Sequence, residues 1–308
     1  MTDLATHPTK PSLKHRLAER GIDRTLWLLA PGAVFIILLF VYPFLYGLTL
    51  SFSPSGKGPC AAYHGIFASY QCFFADPFQD GWGTIWKTLR LALPAALFNV
   101  LASIPISYKL RGKFRGKRTL QTILVIPISL GTVLVAAGLL NFAGSAGWIN
   151  RFLMLIHVVD KPVALVYNYV GVLLSLIITG FPFAFLLVSS YLSGIDPSLE
   201  KAAALMGAGW WKRFTRIILP LLAPGLATTF MLTFVLAFTV FPSATLVGNP
   251  AGSTRVIALV AYQAYAEKFD YSLASAIAIV MGLVMLTVLG LVMAWRSTLY
   301  RGSTGGKG

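Results

Sequence analysis

The sequence predicts an all-α, polytopic membrane protein with six transmembrane helices, and three observations carry that prediction. The 308 residues are 56% hydrophobic and only 11% charged, where a soluble domain carries roughly a quarter charged residues. Six stretches reach the roughly 20 apolar residues that a bilayer crossing needs: Leu26–Leu50, Thr88–Leu110, Leu120–Phe142, Val166–Leu192, Leu219–Phe241 and Leu273–Trp295. The great majority of the 25 Lys and Arg residues fall in alternate connecting segments.

The net charge of +15 raises nucleic acid as a partner, but its placement reads as topology. With the N-terminus inside, the inner segments hold Lys10, Lys14, Arg16, Arg20 and Arg24, then Lys109, Arg111, Lys113, Arg115, Lys117 and Arg118, then Lys201, Lys212, Arg213 and Arg216, and finally Arg296, Arg301 and Lys307. The outer segments hold only Lys57, Lys87, Arg90, Arg151, Lys161, Arg255 and Lys268. The ten acidic residues divide evenly between the sides, so the bias lies in Lys and Arg alone, as the positive-inside rule requires. The reading is N-terminus in and C-terminus in, with no nucleic-acid partner. No Asp, Glu or Lys lies deep in any stretch, which argues against a proton relay or a voltage sensor. The chain thus divides into a basic tail over 1–25, a six-helix membrane domain over 26–295 and a second tail over 296–308. The polar lead and the long first stretch do not fit a cleaved secretory signal.

Within the leader, Leu13–Arg20 reads either as a short amphipathic helix on the membrane surface or as a solvated tail. The first span carries Pro31 and Pro43 near its ends. The outer loop Ser51–Lys87 is rich in aromatics, among them Tyr70, Phe73, Trp82 and Trp86, as expected of a headgroup-level belt. Its Cys60 and Cys72 are a candidate disulfide, although two loop cysteines need not meet bonding geometry. Metal ligation is disfavoured there, because only His64 is near and ligand spacing is absent. The second span carries Asn99 and Ser103, and a glycine-interleaved basic loop follows it. The third holds Pro127, Ser129, Thr132 and Asn141. Trp148, Ile149, Phe152, Leu153 and Ile156 are spaced for a short interfacial helix. The fourth span holds Thr179 and a kink candidate, Gly180-Phe181-Pro182-Phe183. The fifth opens on Pro220 and Pro224, suited to a first helical turn, and carries Thr229, Thr233 and Thr239. A turn over Gly248–Gly252 and an apolar stretch from Val256 to Tyr265 precede the plain sixth span.

The most informative passage is the inner segment 193–218. Asp196 suits a helix N-cap and Pro197 the first helical position. A small-residue helix follows through Glu200, Lys201, Ala202, Ala203 and Ala204 to Met206, and Gly207 breaks it ahead of Ala208. Trp210-Trp211-Lys212 opens a second short helix, closed by Ile217-Ile218-Leu219-Pro220. This is a rigid elbow on the inner face, where a soluble partner can push; an ordinary cytoplasmic hairpin has the same outline.

The passage resembles the EAA coupling loop of binding-protein-dependent ABC importer permeases. That pattern is Glu-Ala-Ala, three residues, Gly, nine residues, Ile, one residue, Leu-Pro. Ala202, Ala203, Gly207, Ile217, Leu219 and Pro220 fall in register, while Lys201 stands where the family has Glu and Glu200 sits one place earlier. The resemblance covers roughly Leu26 to Trp295. Within the superfamily, Gly180–Asp196 and Tyr271–Ala278 look most like the branch that serves polyamines, thiamine, ferric ion and aminoalkylphosphonates.

The resemblance implies the type I importer permease fold in a bacterial inner membrane. It further implies an identical or related second permease, a periplasmic solute receptor and a pair of ABC ATPases, with ATP and Mg bound on those ATPases and no cofactor on this chain. It assigns Glu200, Lys201, Ala202, Ala203, Gly207, Ala208 and Pro220 to coupling, and points to a polyamine-like or related small ion as solute. The chain carries no Gly-x-x-x-x-Gly-Lys-Ser/Thr phosphate loop, and it is not expected to be an enzyme. Candidate path residues are Asn99, Ser103, Thr179, Thr229, Thr233 and Thr239, each with the alternative of bonding its own or a neighbouring helix. The rival class is an ion-coupled secondary transporter, which needs intramembrane ionisable residues or paired broken helices.

Overall fold

The computed structural model describes residues 31–54, 58–112 and 115–300. The stretch Leu13–Arg20, the rest of the basic leader and the end of the C-terminal tail lie outside the described residues. The chain divides into two compact units, residues 1–50 and 51–308. In the first, span 1 is the helix Pro31–Ser51, with one π-helical stretch at Ile37–Val41. Its Val34–Tyr46 segment is apolar on every side, which is the signature of a membrane-spanning helix.

In the second unit, spans 2 to 6 are Gly81–Arg111, Lys117–Ala143, Tyr169–Ser193, Leu219–Phe238 and Tyr271–Tyr300. No strand occurs among the described residues. Spans 2, 4 and 5 pack against one another; span 3 lies on span 4, and span 6 joins span 5 and the helix Ala68–Ala75 of the loop between spans 1 and 2. Two cores hold them. The larger includes Leu91, Ala95, Val172, Phe234, Phe238 and Ile277. The smaller, at the coupling-loop end, joins Ile104, Val188, Leu192, Ile195, Ile218 and Leu222. That smaller core fixes both ends of the coupling loop to spans 2, 4 and 5.

Span 2 begins at Gly81, seven residues before the Thr88 that hydropathy alone suggests. The cause is Asp80, whose side chain accepts from Gly83 N at 3.2 Å and caps the helix. Its other oxygen takes Lys87 Nζ at 3.0 Å. At 1.5 Å per residue the 31-residue helix is about 46 Å long, so it projects beyond a hydrocarbon core of about 30 Å. Its polar ends carry Lys87 and Arg111.

Span 4 runs unbroken through Pro182, so the expected Gly180–Phe183 kink does not interrupt its helix. The break lies in span 3 instead. Gly131 adopts φ 70° and ψ 166° inside an otherwise helical segment, a region essentially closed to residues with a Cβ. The interfacial helix forms over Trp148–Leu155. The apolar stretch after the Gly248–Gly252 turn is the buried helix Ile257–Tyr262. In the loop between spans 1 and 2, Cys60 and Cys72 are disulfide-bonded, with Cα atoms 5.3 Å apart. Closing so short a loop removes about 3 kcal/mol of chain entropy from the unfolded state.

Candidate functional site: a coupling joint and a mid-span cavity

The coupling helix is Pro197–Leu205. Asp196 caps it, taking Ser198 N at 2.8 Å on one oxygen and the Ser198 hydroxyl at 2.6 Å on the other. Those two bonds hold the Asp196 carboxyl below its ordinary pKa. A depressed carboxylate keeps its cap at neutral pH and loses it only as pH falls through the lowered value. At the other end Gly207 takes φ 79°. Gly207 N donates to Ala204 O and Ala208 N to Ala203 O, both at 3.0 Å, which is the Schellman pair that closes a helix.

The joint's central contact is one that sequence reading missed. Arg111 Nη1, from the end of span 2, donates to Glu200 Oε1 at 2.5 Å, and Nη2 donates to Ile195 O. Tyr108 Oη donates to Glu200 Oε2 at 2.8 Å. Both charged side chains are only 18% exposed, so the bond sits in a medium that strengthens it and makes either partner costly to strand. Tyr108 also stands edge-on to Phe214 at 5.2 Å, and Phe214 stacks on Trp210 at 5.9 Å. Glu200 therefore faces its own chain and anchors the coupling helix to span 2. Lys201, where the family has Glu, is exposed.

The faces of the coupling helix sort the other expected residues. Ala203 is buried against the chain itself at 5% exposure, whereas Leu205 and Met206 stand 90% and 82% exposed. Ala202 is exposed beside them. The free apolar tip is thus Leu205-Met206, and the signal for it in the sequence is two large apolar residues at the end of an otherwise small-residue helix. Past Trp210–Arg213 the chain runs π-helically through Phe214–Ile218 into span 5, with Pro220 in its first turn. Gly207→Pro forces φ to about −65° and removes an N–H that is bonded here. Uptake by that variant, and by Ala203→Phe, is expected to fall while membrane insertion and partner ATPase activity persist. Normal uptake in both counts against a rigid elbow.

Between spans 2, 3, 4 and 5 lies a cavity of about 330 Å³, lined by Asn99, Gly131, Thr132, Thr179, Gly180 and Thr233 among others. Three expected path residues thus meet at one place. Asn99 is 1% exposed. Its Nδ2 donates to Leu176 O at 3.3 Å, while its Oδ1 takes no bond from the protein. Gly180 lies so close that any Cβ there would strike Asn99 Nδ2. The hydroxyls of Thr179 and Thr233 donate to Ser175 O and Thr229 O, each at 2.8 Å, leaving them as acceptors. The other three expected residues lie elsewhere. Ser103 and Thr229 are fully buried, with hydroxyls bonded to Val100 O and Gly225 O. Thr239 lies just past the end of span 5, exposed and bonded to Val235 O at 3.0 Å. Back-bonding to the preceding turn explains all three.

The described residues thus form a six-span helical membrane protein, with a capped elbow bonded to the end of one span and a cavity among four of the spans. Residues 100–301 match the family described as binding-protein-dependent transport system inner membrane component, and the chain belongs to that family. It is a multi-pass membrane protein and the permease component of an ABC importer.

The chain is 32% identical over 206 residues to the probable sulfate transport system permease protein cysT of Prototheca wickerhamii, covering 67% of this chain and 79% of that protein. It is 29% identical over 219 residues to the sulfate transport system permease protein CysT of Escherichia coli strain K12, covering 65% and 76%. In fold it is similar to a chain of a bacterial ABC transporter involved in the import of the acidic polysaccharide alginate. The TM-score there is 0.75 at 20% identity, over 93% of this chain and 100% of that one. It is also similar to a chain of the inward-facing MetNI methionine ABC transporter, with a TM-score of 0.55 at 17% identity, over 71% and 95%. These relatives do not support the expected polyamine-like branch.

Proposed function

We propose that this permease passes a small oxyanion of the sulfate class, delivered by a soluble receptor, and that an ABC ATPase pair drives it through the coupling loop. The Glu200 clamp carries the mechanism. ATPase subunits holding the Leu205-Met206 tip would close on ATP and Mg bound in themselves. Because Glu200 is bonded to Arg111 and Tyr108, the coupling helix cannot shift without moving the end of span 2. The Ile195, Ile218 and Leu222 core takes spans 4 and 5 with it. The mid-span cavity, which those spans share with the broken span 3, then changes its opening, as alternating access requires. A second permease, identical or related, would complete the path.

The solute class rests on the sulfate permeases among the relatives. The cavity agrees with passage without capture, since no acidic or basic side chain lines it. Selectivity then falls to the receptor. The disulfide in the Ser51–Lys87 loop supports an oxidising, extracytoplasmic location for that loop, and with it the reading that both termini and the coupling loop face the cytoplasm.

The test is uptake into proteoliposomes holding the permease, its ATPase and its receptor. ATP-dependent accumulation of radiolabelled sulfate, with none of spermidine, is the expected outcome. Spermidine uptake without sulfate uptake restores the polyamine-like reading.

A further inference from the structure

A groove of about 1070 Å³ opens at the coupling joint, between the last third of span 2, the coupling helix and the start of span 5. The clamp residues Tyr108, Arg111 and Glu200 are part of its lining, but the coupling mechanism above gives the space itself no occupant. One end is apolar, walled by Leu101, Pro105 and Leu219, with Leu101 56% exposed. The other end is basic and is formed by Lys109, Lys201 and Arg213. Leu101 and Lys109 are about 12 Å apart along the helix. The groove therefore runs from hydrocarbon depth to headgroup depth. Trp210 and Trp211 stand at the basic end, 54% and 64% exposed, where indoles favour the membrane interface.

The charge is unbalanced. The acid in the lining is Glu200, and both its oxygens are occupied by Arg111 and Tyr108. Lys109, Lys201 and Arg213 stand in no ion pair among the described residues. Arg213 Nε is buried and donates to no protein group. A groove with an apolar trough and basic side chains that stand in no close ion pair, at interfacial depth, complements one kind of molecule, an amphiphile with an anionic head. We propose that it is a binding site for an anionic glycerophospholipid, whose phosphate lies between Lys109 and Arg213 and whose acyl chain lies along Leu101 and Pro105. The lipid would brace the joint along the Pro197, Glu200 and Ala204 side of the coupling helix, so that the helix transmits force against a filled surface. The placement at the membrane face rests on the coupling-loop reading above.

The test uses the assembled transporter, equilibrated with vesicles of mixed phosphatidylcholine and phosphatidylglycerol, extracted in detergent and weighed by native mass spectrometry. Phosphatidylglycerol is expected to be retained in preference to phosphatidylcholine. In the double variant Lys109→Gln/Arg213→Gln the preference should fall about 30-fold, for two interfacial cations. Lys117→Gln/Arg118→Gln, which neutralises two cations of the neighbouring loop, should keep it and so separate the groove from general surface attraction. Ala204→Trp, which narrows the groove at constant charge, should weaken retention of the lipid. Undiminished preference in Lys109→Gln/Arg213→Gln overturns the proposal, as does undiminished retention in Ala204→Trp. A Trp211→Cys crosslink to the ATPase also overturns it, because protein then covers the groove. Failure of the coupling reading shows separately, as ATPase subunits that do not co-purify with the permease.

Discussion

Arg111→Ala is expected to abolish ATP-driven uptake while leaving the chain inserted and the partner ATPase active. The substitution strands Glu200 in a site where it is 18% exposed, with only the Tyr108 hydroxyl left on it. Breaking a buried pair by removing one partner costs about 3–5 kcal/mol. The residual exposure places this joint at the lower end, about 3 kcal/mol, which corresponds to more than a hundredfold shift in the population of the locked joint. The coupling helix would still dock but would no longer drag span 2. Glu200→Ala should behave alike, whereas the double variant should lose little beyond either single change, because neither charge is then stranded. A double-mutant cycle on uptake and thermal unfolding reads the pair directly. Additive losses, or normal uptake in Arg111→Ala, would show that force reaches the spans by another contact.

The second large effect is expected at Gly131. Its conformation, φ 70° and ψ 166°, costs a residue with a Cβ about 1–3 kcal/mol, and a β-branched residue has the least room to adopt it. No neighbour stands within 4 Å of the Cβ position, so the penalty is one of backbone alone. Gly131→Val should straighten span 3 at the cavity and lower uptake by about 10-fold or more. Gly138→Ala is the control. It lies in the regular part of the same span, also with open space around it, and Ala there gains roughly 0.5–1 kcal/mol of helix stability. Equal uptake by Gly131→Val and the parent would show that the break is a static feature rather than a moving part.

The coupling helix was legible residue by residue because its signals are local. Asp196, Pro197 and Gly207 each act within a turn or two of backbone, and each takes the role its side chain or its lack of one dictates. Arg111 was not legible. It is one of six basic residues in a row of loop charges, and nothing local separates it from Lys109 or Arg115; its partner is 89 positions away. The same holds for the path. Six hydroxyl and amide residues looked equivalent, and only the packing of spans 2, 4 and 5 decides that Asn99, Thr179 and Thr233 share a cavity. Gly131 was hidden for another reason. A glycine in an apolar run usually serves close helix packing, and the break shows only in the backbone angles.

By itself the sequence determined that this chain is an apolar, six-span helical membrane protein with one capped elbow between its fourth and fifth spans. Those properties follow from hydropathy, from Lys and Arg placement and from turn chemistry, all of which act over a few residues or simply accumulate along the chain. The tertiary structure alone decided which residue locks the elbow, which side of the coupling helix is free and where the cavity lies. Each of these is a meeting of side chains far apart in sequence, set by how long apolar helices choose their faces. Nearly every face of those helices is apolar, so composition gives no preference among the ways they could pack.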